Sequence, residues 1–177
     1  MKYILHIDTS GEKGIVGLSS KGEWLVERTN LQSREHAASI NNMITGVLQE
    51  AGIGFGDLSA ISVIGGPGSY TGLRVGLATA KGFCYAWDLP LIMHNKLTLL
   101  ALQHLNSNNQ VEAIYSALPA RQGEYFISKY RKDGVELVIP GHVMEQELIQ
   151  LLENDIENRT ITGVLSKAMQ DIAKEMN

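Results

Sequence analysis

The stretch Gly65-Gly66-Pro67-Gly68-Ser69-Tyr70-Thr71-Gly72-Leu73-Arg74-Val75-Gly76 constrains this chain more than any other. A largely apolar run, Ile61–Ile64, leads into a glycine-proline turn, and a helix-forming segment, Leu73–Trp87, comes directly after it. Strand, tight turn and helix start gather several backbone N–H groups around one point. The first N–H groups of a helix lack intrahelical partners and the helix dipole is positive there, so such a point suits an anion. Taken alone, the same pattern is a tight strand-to-helix connection that holds no ligand.

The N-terminus adds a second turn. Asp8-Thr9-Ser10 closes a strand-like run, Tyr3–Ile7, and Gly11–Gly14 reads as the turn into a return strand beginning Ile15-Val16-Gly17-Leu18. A third strand is expected at Glu23–Arg28, then a helix over Glu35–Ala51 capped by Ser33 and ended by Gly52. Ala60–Ile64 reads as a buried parallel strand, Pro90–Met93 as another strand and Leu97–Leu105 as a third helix. Three hairpin strands and then alternating helices and strands argue an α/β fold.

Asn106-Ser107-Asn108-Asn109 contains no apolar residue and divides the chain into a first lobe, 1–106, and a second, 107–177. The second lobe opens like the first, with strands at Glu112–Leu118, Glu124–Arg131 and Val135–Ile139 and a helix at Val143–Leu152. Thr160–Thr162 and Ser166–Met176 are expected as a last short strand and helix.

Three features carry a family resemblance: Ile7-Asp8-Thr9-Ser10, Arg34-Glu35-His36, and the glycine motif from Gly66 to Gly76. Ala86-Trp87-Asp88-Leu89-Pro90 and Ala120-Arg121-Gln122-Gly123-Glu124-Tyr125 add to it. An acidic-hydroxyl turn on a first hairpin and a Gly-rich turn before a helix resemble the layout of the actin, hexokinase and heat-shock ATPase superfamily. Within it, residues 1–140 resemble the bacterial TsaB (YeaZ) family. The resemblance implies an actin-like, ribonuclease-H-like α/β fold of two related lobes, the second cut short. It implies a non-catalytic subunit of the assembly that forms N6-threonylcarbamoyladenosine on tRNA, docked to a TsaD-like subunit through first-lobe helices. A TsaE-like ATPase as a further partner, tRNA met only through the complex, and a homodimer when TsaD is absent complete the implied partners.

Composition agrees with that kind of protein. In 177 residues, 44% are hydrophobic and 19% charged, which suits a globular core. A net charge of −4 argues against a nucleic-acid-binding surface as a whole. The single Cys84 forbids an intrachain disulfide, in keeping with a reducing, cytoplasmic setting. His6 and Asp8 interrupt the N-terminal run too soon for a signal peptide or membrane span, so no membrane association is expected.

Two sets of site residues emerge. Asp8, Thr9, Ser10, Gly66, Gly68 and Ser69 are weak phosphate-loop candidates, for ATP or ADP with magnesium. The alternative reading of Asp8 is a hairpin residue accepting backbone hydrogen bonds. For the interface, the first helix carries His36, Ile40, Ile44 and Leu48 on one stripe. The second carries Gly72, Gly76 and Ala80 four apart, with Tyr70, Thr71 and Arg74 at its start and Gly82 in its middle. A small-residue face lets a neighbour approach closely, whether the chain's own sheet, a second copy or another protein. The resemblance favours a subunit interface.

Catalytic groups are not evident. The TsaD relatives carry two histidines four apart, able to grip one metal from one helix face. Here Thr98 stands four residues after His94, so no metal site is expected. No Gly-x-Ser-x-Gly elbow, HExxH or Walker-type loop is present. The competing enzymatic readings are a phosphotransferase or ATPase of the actin-like superfamily and a glycoprotein-endopeptidase-like protein.

Overall fold

The computed structural model describes residues 2–32, 36–108, 110–155 and 160–175. They form two compact units, residues 1–95 and 96–177.

In the first unit, β1 (Tyr3–Asp8), β2 (Gly14–Ser20) and β3 (Glu23–Asn30) make an antiparallel meander. The chain then forms α1 (His36–Glu50), β4 (Leu58–Gly66), α2 (Tyr70–Trp87) and β5 (Leu91–Asn95). β4 pairs in parallel with β1 on one side and β5 on the other, giving the sheet order β3-β2-β1-β4-β5. Parallel strands with helical crossovers are buried on both faces, which is why β4 reads as a run of small and branched apolar residues. Leu5, Ile7, Val16, Leu18, Ile61 and Val63 of the sheet pack with Ile40, Ile44, Val47 and Leu48 of α1 and Ala80 and Cys84 of α2.

α2 begins at Tyr70, three residues before the expected Leu73, because Ser69 caps it: the Ser69 Oγ accepts the Gly72 N–H at 3.3 Å. It ends at Asp88, whose backbone is left-handed with φ 51°. The expected cap of α1, Ser33, lies outside the described residues.

The second unit contains α3 (Lys96–Ser107), β6 (Ala113–Pro119), β7 (Glu124–Arg131), β8 (Glu136–Met144), α4 (Glu145–Asn154), β9 (Ile161–Gly163) and α5 (Lys167–Glu175). Its sheet order is β8-β7-β6-β9. β6 pairs antiparallel with β7 and parallel with β9. α3 covers one face through Leu97, Ala101 and Leu105 over Ile114, Leu118 and Tyr130. Leu148 and Leu152 of α4 and Met169 of α5 pack on Tyr115, Ala117, Tyr125 and Ile127 of the other. The polar stretch expected as the lobe boundary, Asn106–Asn109, runs from the end of α3 toward β6 inside this unit, with Asn109 outside the described residues.

The boundary between β8 and α4 also differs from expectation. Val143 and Met144 belong to β8, not to a helix, because the strand continues through Pro140 at the sheet edge, where a missing N–H removes no ladder bond. Among the described residues no helix is long and apolar enough to cross a membrane. The two sheets with their helices are the actin-like α/β architecture.

Candidate functional site

The two turns singled out in the sequence meet in the first unit. β1 ends at Asp8, whose Oδ1 accepts both the Ser10 N–H at 2.8 Å and the Ser10 hydroxyl at 2.5 Å. This pins the turn and points the Ser10 carbonyl at the glycine loop, where it accepts the Ser69 N–H at 2.7 Å. The buried Thr9 hydroxyl donates to the Gly72 carbonyl at 2.7 Å. Leu73 N–H is taken by the Ser69 carbonyl at 2.8 Å. The N–H groups of Ser69, Gly72 and Leu73 are therefore all bonded within the chain.

The glycines permit this closure. A Cβ on Gly68 would overlap the Ser10 carbonyl, one on Gly72 the Thr9 carbonyl and one on Gly76 the Thr9 hydroxyl. The small face of α2 is thus used by the chain's own hairpin turn. Close approach of backbone to backbone is what a side-chain-free residue allows.

The interface residues divide accordingly. Ile40, Ile44 and Leu48 lie in the core, as does Ala80, and Gly72 and Gly76 are buried beneath the Thr9 turn. The His36 side chain lies outside the described residues. Tyr70, Thr71 and Arg74 face outward, with the Arg74 guanidinium 4.1 Å over the Tyr70 ring. Helical geometry continues this outward stripe through Ala78, Gly82 and Tyr85, all exposed. Tyr85 is 94% exposed and Tyr70 68%. A Cβ on Gly82 would meet nothing within 4 Å. This stripe lies opposite the 72–76–80 face, and the signal for it in the sequence was Gly82 itself, out of phase with the other glycines. On α1 the exposed residues are also small or uncharged: Ala37, Ala38, Asn41, Asn42, Thr45 and Gln49, with Glu50 at the helix end.

Two of the histidines have side-chain partners within the chain. His6 Nε2 is 2.7 Å from Ser19 Oγ and its ring lies 4.9 Å from that of Trp24. Burial, and then the nearby His94, hold its pKa below the ordinary 6.5. His142 Nε2 is 3.0 Å from Glu124 Oε2. Thr98 donates its hydroxyl to the Tyr130 hydroxyl at 2.8 Å. Among the described residues, no three His, Cys, Asp or Glu side chains converge to hold a metal. Burial pushes the Cys84 thiol up, away from a reactive thiolate.

The second unit holds groups that the sequence did not disclose. Lys129 is buried and ion-paired with Asp155, which also accepts the Tyr115 hydroxyl at 2.9 Å. An open cleft of about 310 Å³ lies between the β6–β7 turn and the start of α5, lined by Arg121, Glu124, Tyr125, Glu145, Leu165 and Ser166 among others.

Known proteins resemble this chain along most of its length. Residues 28–157 match the family described as TsaD, tRNA N6-adenosine threonylcarbamoyltransferase. The tRNA threonylcarbamoyladenosine biosynthesis protein TsaB of Haemophilus influenzae is 32% identical over 171 residues, covering 90% of this chain and 72% of the relative. The tRNA N6-adenosine threonylcarbamoyltransferase of Streptococcus mutans is 33% identical, covering 76% of this chain but only 48% of its own length. Among solved structures, YeaZ from Pseudomonas aeruginosa superposes with a TM-score of 0.67 at 26% identity, covering 81% of this chain and 66% of that one.

Proposed function

This chain belongs to the TsaB (YeaZ) family, and from that membership we propose that it is a non-catalytic subunit in forming N6-threonylcarbamoyladenosine on tRNA, docking a TsaD-like transferase through the outward faces of α1 and α2. A TsaE-like ATPase joins the same assembly, tRNA is met through the complex, and two copies pair by this face when the transferase is absent.

One observation carries the docking face. Gly82 sits inside α2 on its exposed face, and a Cβ added there would meet nothing within 4 Å. An interior glycine costs a helix about 1 kcal/mol against alanine. Gly72 and Gly76 are explained by the hairpin turn beneath them; Gly82 is explained by a neighbour that comes close from outside. Tyr70, Arg74 and Tyr85 flank it on the same stripe, and Tyr and Arg are the residues that most often dominate binding energy at interfaces. The non-catalytic role is supported by the residues themselves: Thr98 is spent on Tyr130, and the Asp8 turn and glycine loop are bonded to each other.

The test is titration calorimetry of the purified chain with a TsaD subunit. Gly82→Trp and Arg74→Glu are expected to weaken the complex at least ~10-fold with the circular dichroism spectrum unchanged. Wild-type affinity in both variants overturns the proposed face.

A further inference from the structure

The Asp8-Thr9-Ser10 turn has the residue types of a phosphate-holding loop, yet its polar groups are committed elsewhere. We propose that it is a positioning clamp for α2, fixing the first helical turn from which Tyr70, Thr71 and Arg74 project. This rests on the docking face proposed above and adds what holds that face in place.

The clamp has three parts. Asp8 fixes Ser10 through both the N–H and the hydroxyl. Ser10 then takes the Ser69 N–H, so the residue that caps α2 is itself held by the hairpin. Thr9 reaches one turn further and bonds the Gly72 carbonyl from a buried position. Tyr70 and Thr71 lie between the two attachment points, Ser69 and Gly72, and Arg74 stands two residues beyond them. The attachments are on the inner side of the helix and the exposed side chains are on the outer, so the clamp sets their placement without touching a partner. Thr9 is therefore a positioning residue, and Asp8 acts through Ser10. Gly76 completes the fit, because its missing Cβ is where the Thr9 hydroxyl stands.

The experiment measures amide hydrogen exchange of residues 70–76 in the free chain, together with calorimetric affinity for a TsaD subunit. Thr9→Ala is expected to speed exchange across 70–76 and to weaken binding, each by about 10-fold, as losing one buried hydrogen bond implies. Thr9→Ser keeps the hydroxyl and is expected to behave as wild type. Wild-type exchange and affinity in Thr9→Ala overturn the clamp, and so does a Thr9→Ser variant as impaired as Thr9→Ala. Adding ATP with magnesium to the wild-type chain is expected to leave exchange at 70–76 unchanged; slowed exchange there would assign the turn to phosphate and overturn the clamp. Arg74→Glu separates the two readings. If it binds TsaD normally, the docking face fails, while exchange in the free chain still decides the clamp. Where Thr9→Ala fails to fold, Gly76→Ala carries the test: its Cβ would overlap the Thr9 hydroxyl, so faster exchange across 70–76 is expected, and wild-type exchange in that variant overturns the clamp.

Discussion

The two units repeat one plan and differ at one helix start. The order β3-β2-β1-β4 in the first matches β8-β7-β6-β9 in the second, with the same antiparallel and parallel pairings. In each, the strand before the last helix ends on a glycine with positive φ, +132° at Gly66 and +126° at Gly163. Each then caps that helix with a serine that accepts an N–H three residues on, Ser69 from Gly72 and Ser166 from Met169. The residue at that third position separates the two joints. At Gly72 the hairpin carbonyl of Thr9 lies where a side chain would be, and the two turns close on each other. At Met169 a fully buried side chain occupies the core, and an open cleft remains between the β6–β7 turn and the helix. The outward faces differ as well. Glu50, Arg74 and Lys81 are the only Asp, Glu, Lys or Arg residues in the 15 and 18 residues of α1 and α2, whereas the 10 residues of α4 carry Glu145, Glu147 and Glu153. The same scaffold thus presents a tight joint with sparsely charged helices in one copy and a looser joint with more densely charged helices in the other.

The sharpest way to break this contrast is to alter the two third positions. Gly72→Ala drives a Cβ into the Thr9 carbonyl, which is backbone and cannot rotate away. The expected loss is about 3 kcal/mol or more, read as a lower midpoint in urea unfolding. No substitution at residue 9 should relieve it, unlike the Gly76 clash with a side-chain hydroxyl. Met169→Ala in the second unit opens a void and should cost about 3 kcal/mol by the same measurement. An alanine tolerated at Gly72 would mean that the closed joint is not enforced by glycine.

The sequence made the first unit legible because its signals are local. The strand-like run Tyr3–Ile7, the glycine turn and the spacing of Ile40, Ile44 and Leu48 each identify an element without reference to the rest of the chain. It also brought out the small residues of α2, but not what they face: a helix stripe is the same string of letters whether it meets a sheet, a turn or another protein. The hydrogen bonds from Ser69 to Ser10 and from Thr9 to Gly72 span 59 and 63 residues, and no spacing rule anticipates such contacts. Gly82 was visible, and only its phase relative to Gly72 and Gly76 distinguishes an outward glycine from an inward one. In the second unit, Lys129 and Asp155 belong to separate elements, and nothing along the sequence pairs a lysine within a strand with an aspartate beyond a helix.

That pair gives a smaller test of the contrast. Among the described residues the first unit buries no charged side chain, while the second buries Lys129 in an ion pair with the half-buried Asp155, whose carboxylate also accepts the Tyr115 hydroxyl. Burial, and then Asp155, raise the Tyr115 pKa, so the hydroxyl stays protonated and remains a donor throughout the neutral range. Tyr115→Phe removes that donor and leaves Asp155 its lysine. The expected cost is about 1.5 kcal/mol in thermal or chemical unfolding, because the bond is to a charged group. A neutral result would show that the Tyr115 hydroxyl adds nothing to the carboxylate's stabilisation.

The smallest expected effect lies in the first unit and has a sign fixed by His6. Burial against Trp24, and then the positive charge that His94 can carry, disfavour protonation of His6 in the folded chain. In the unfolded chain the imidazole titrates near its ordinary 6.5. Between the lowered folded value and 6.5 the unfolded state binds more protons, so stability falls as pH drops through that window and levels off below it. Unfolding midpoints compared at about pH 7.5 and about pH 5.5 should therefore fall more in the wild type than in His6→Gln, where the titrating group is gone. His94 shares the effect from β5, so His94→Gln should reduce the slope in part, by removing the repulsion but not the burial. An equal slope in wild type and His6→Gln would show that the ring protonates as freely in the fold as out of it. The Trp24 ring, which stands where a Cβ on Gly17 would be, would then not be shielding it.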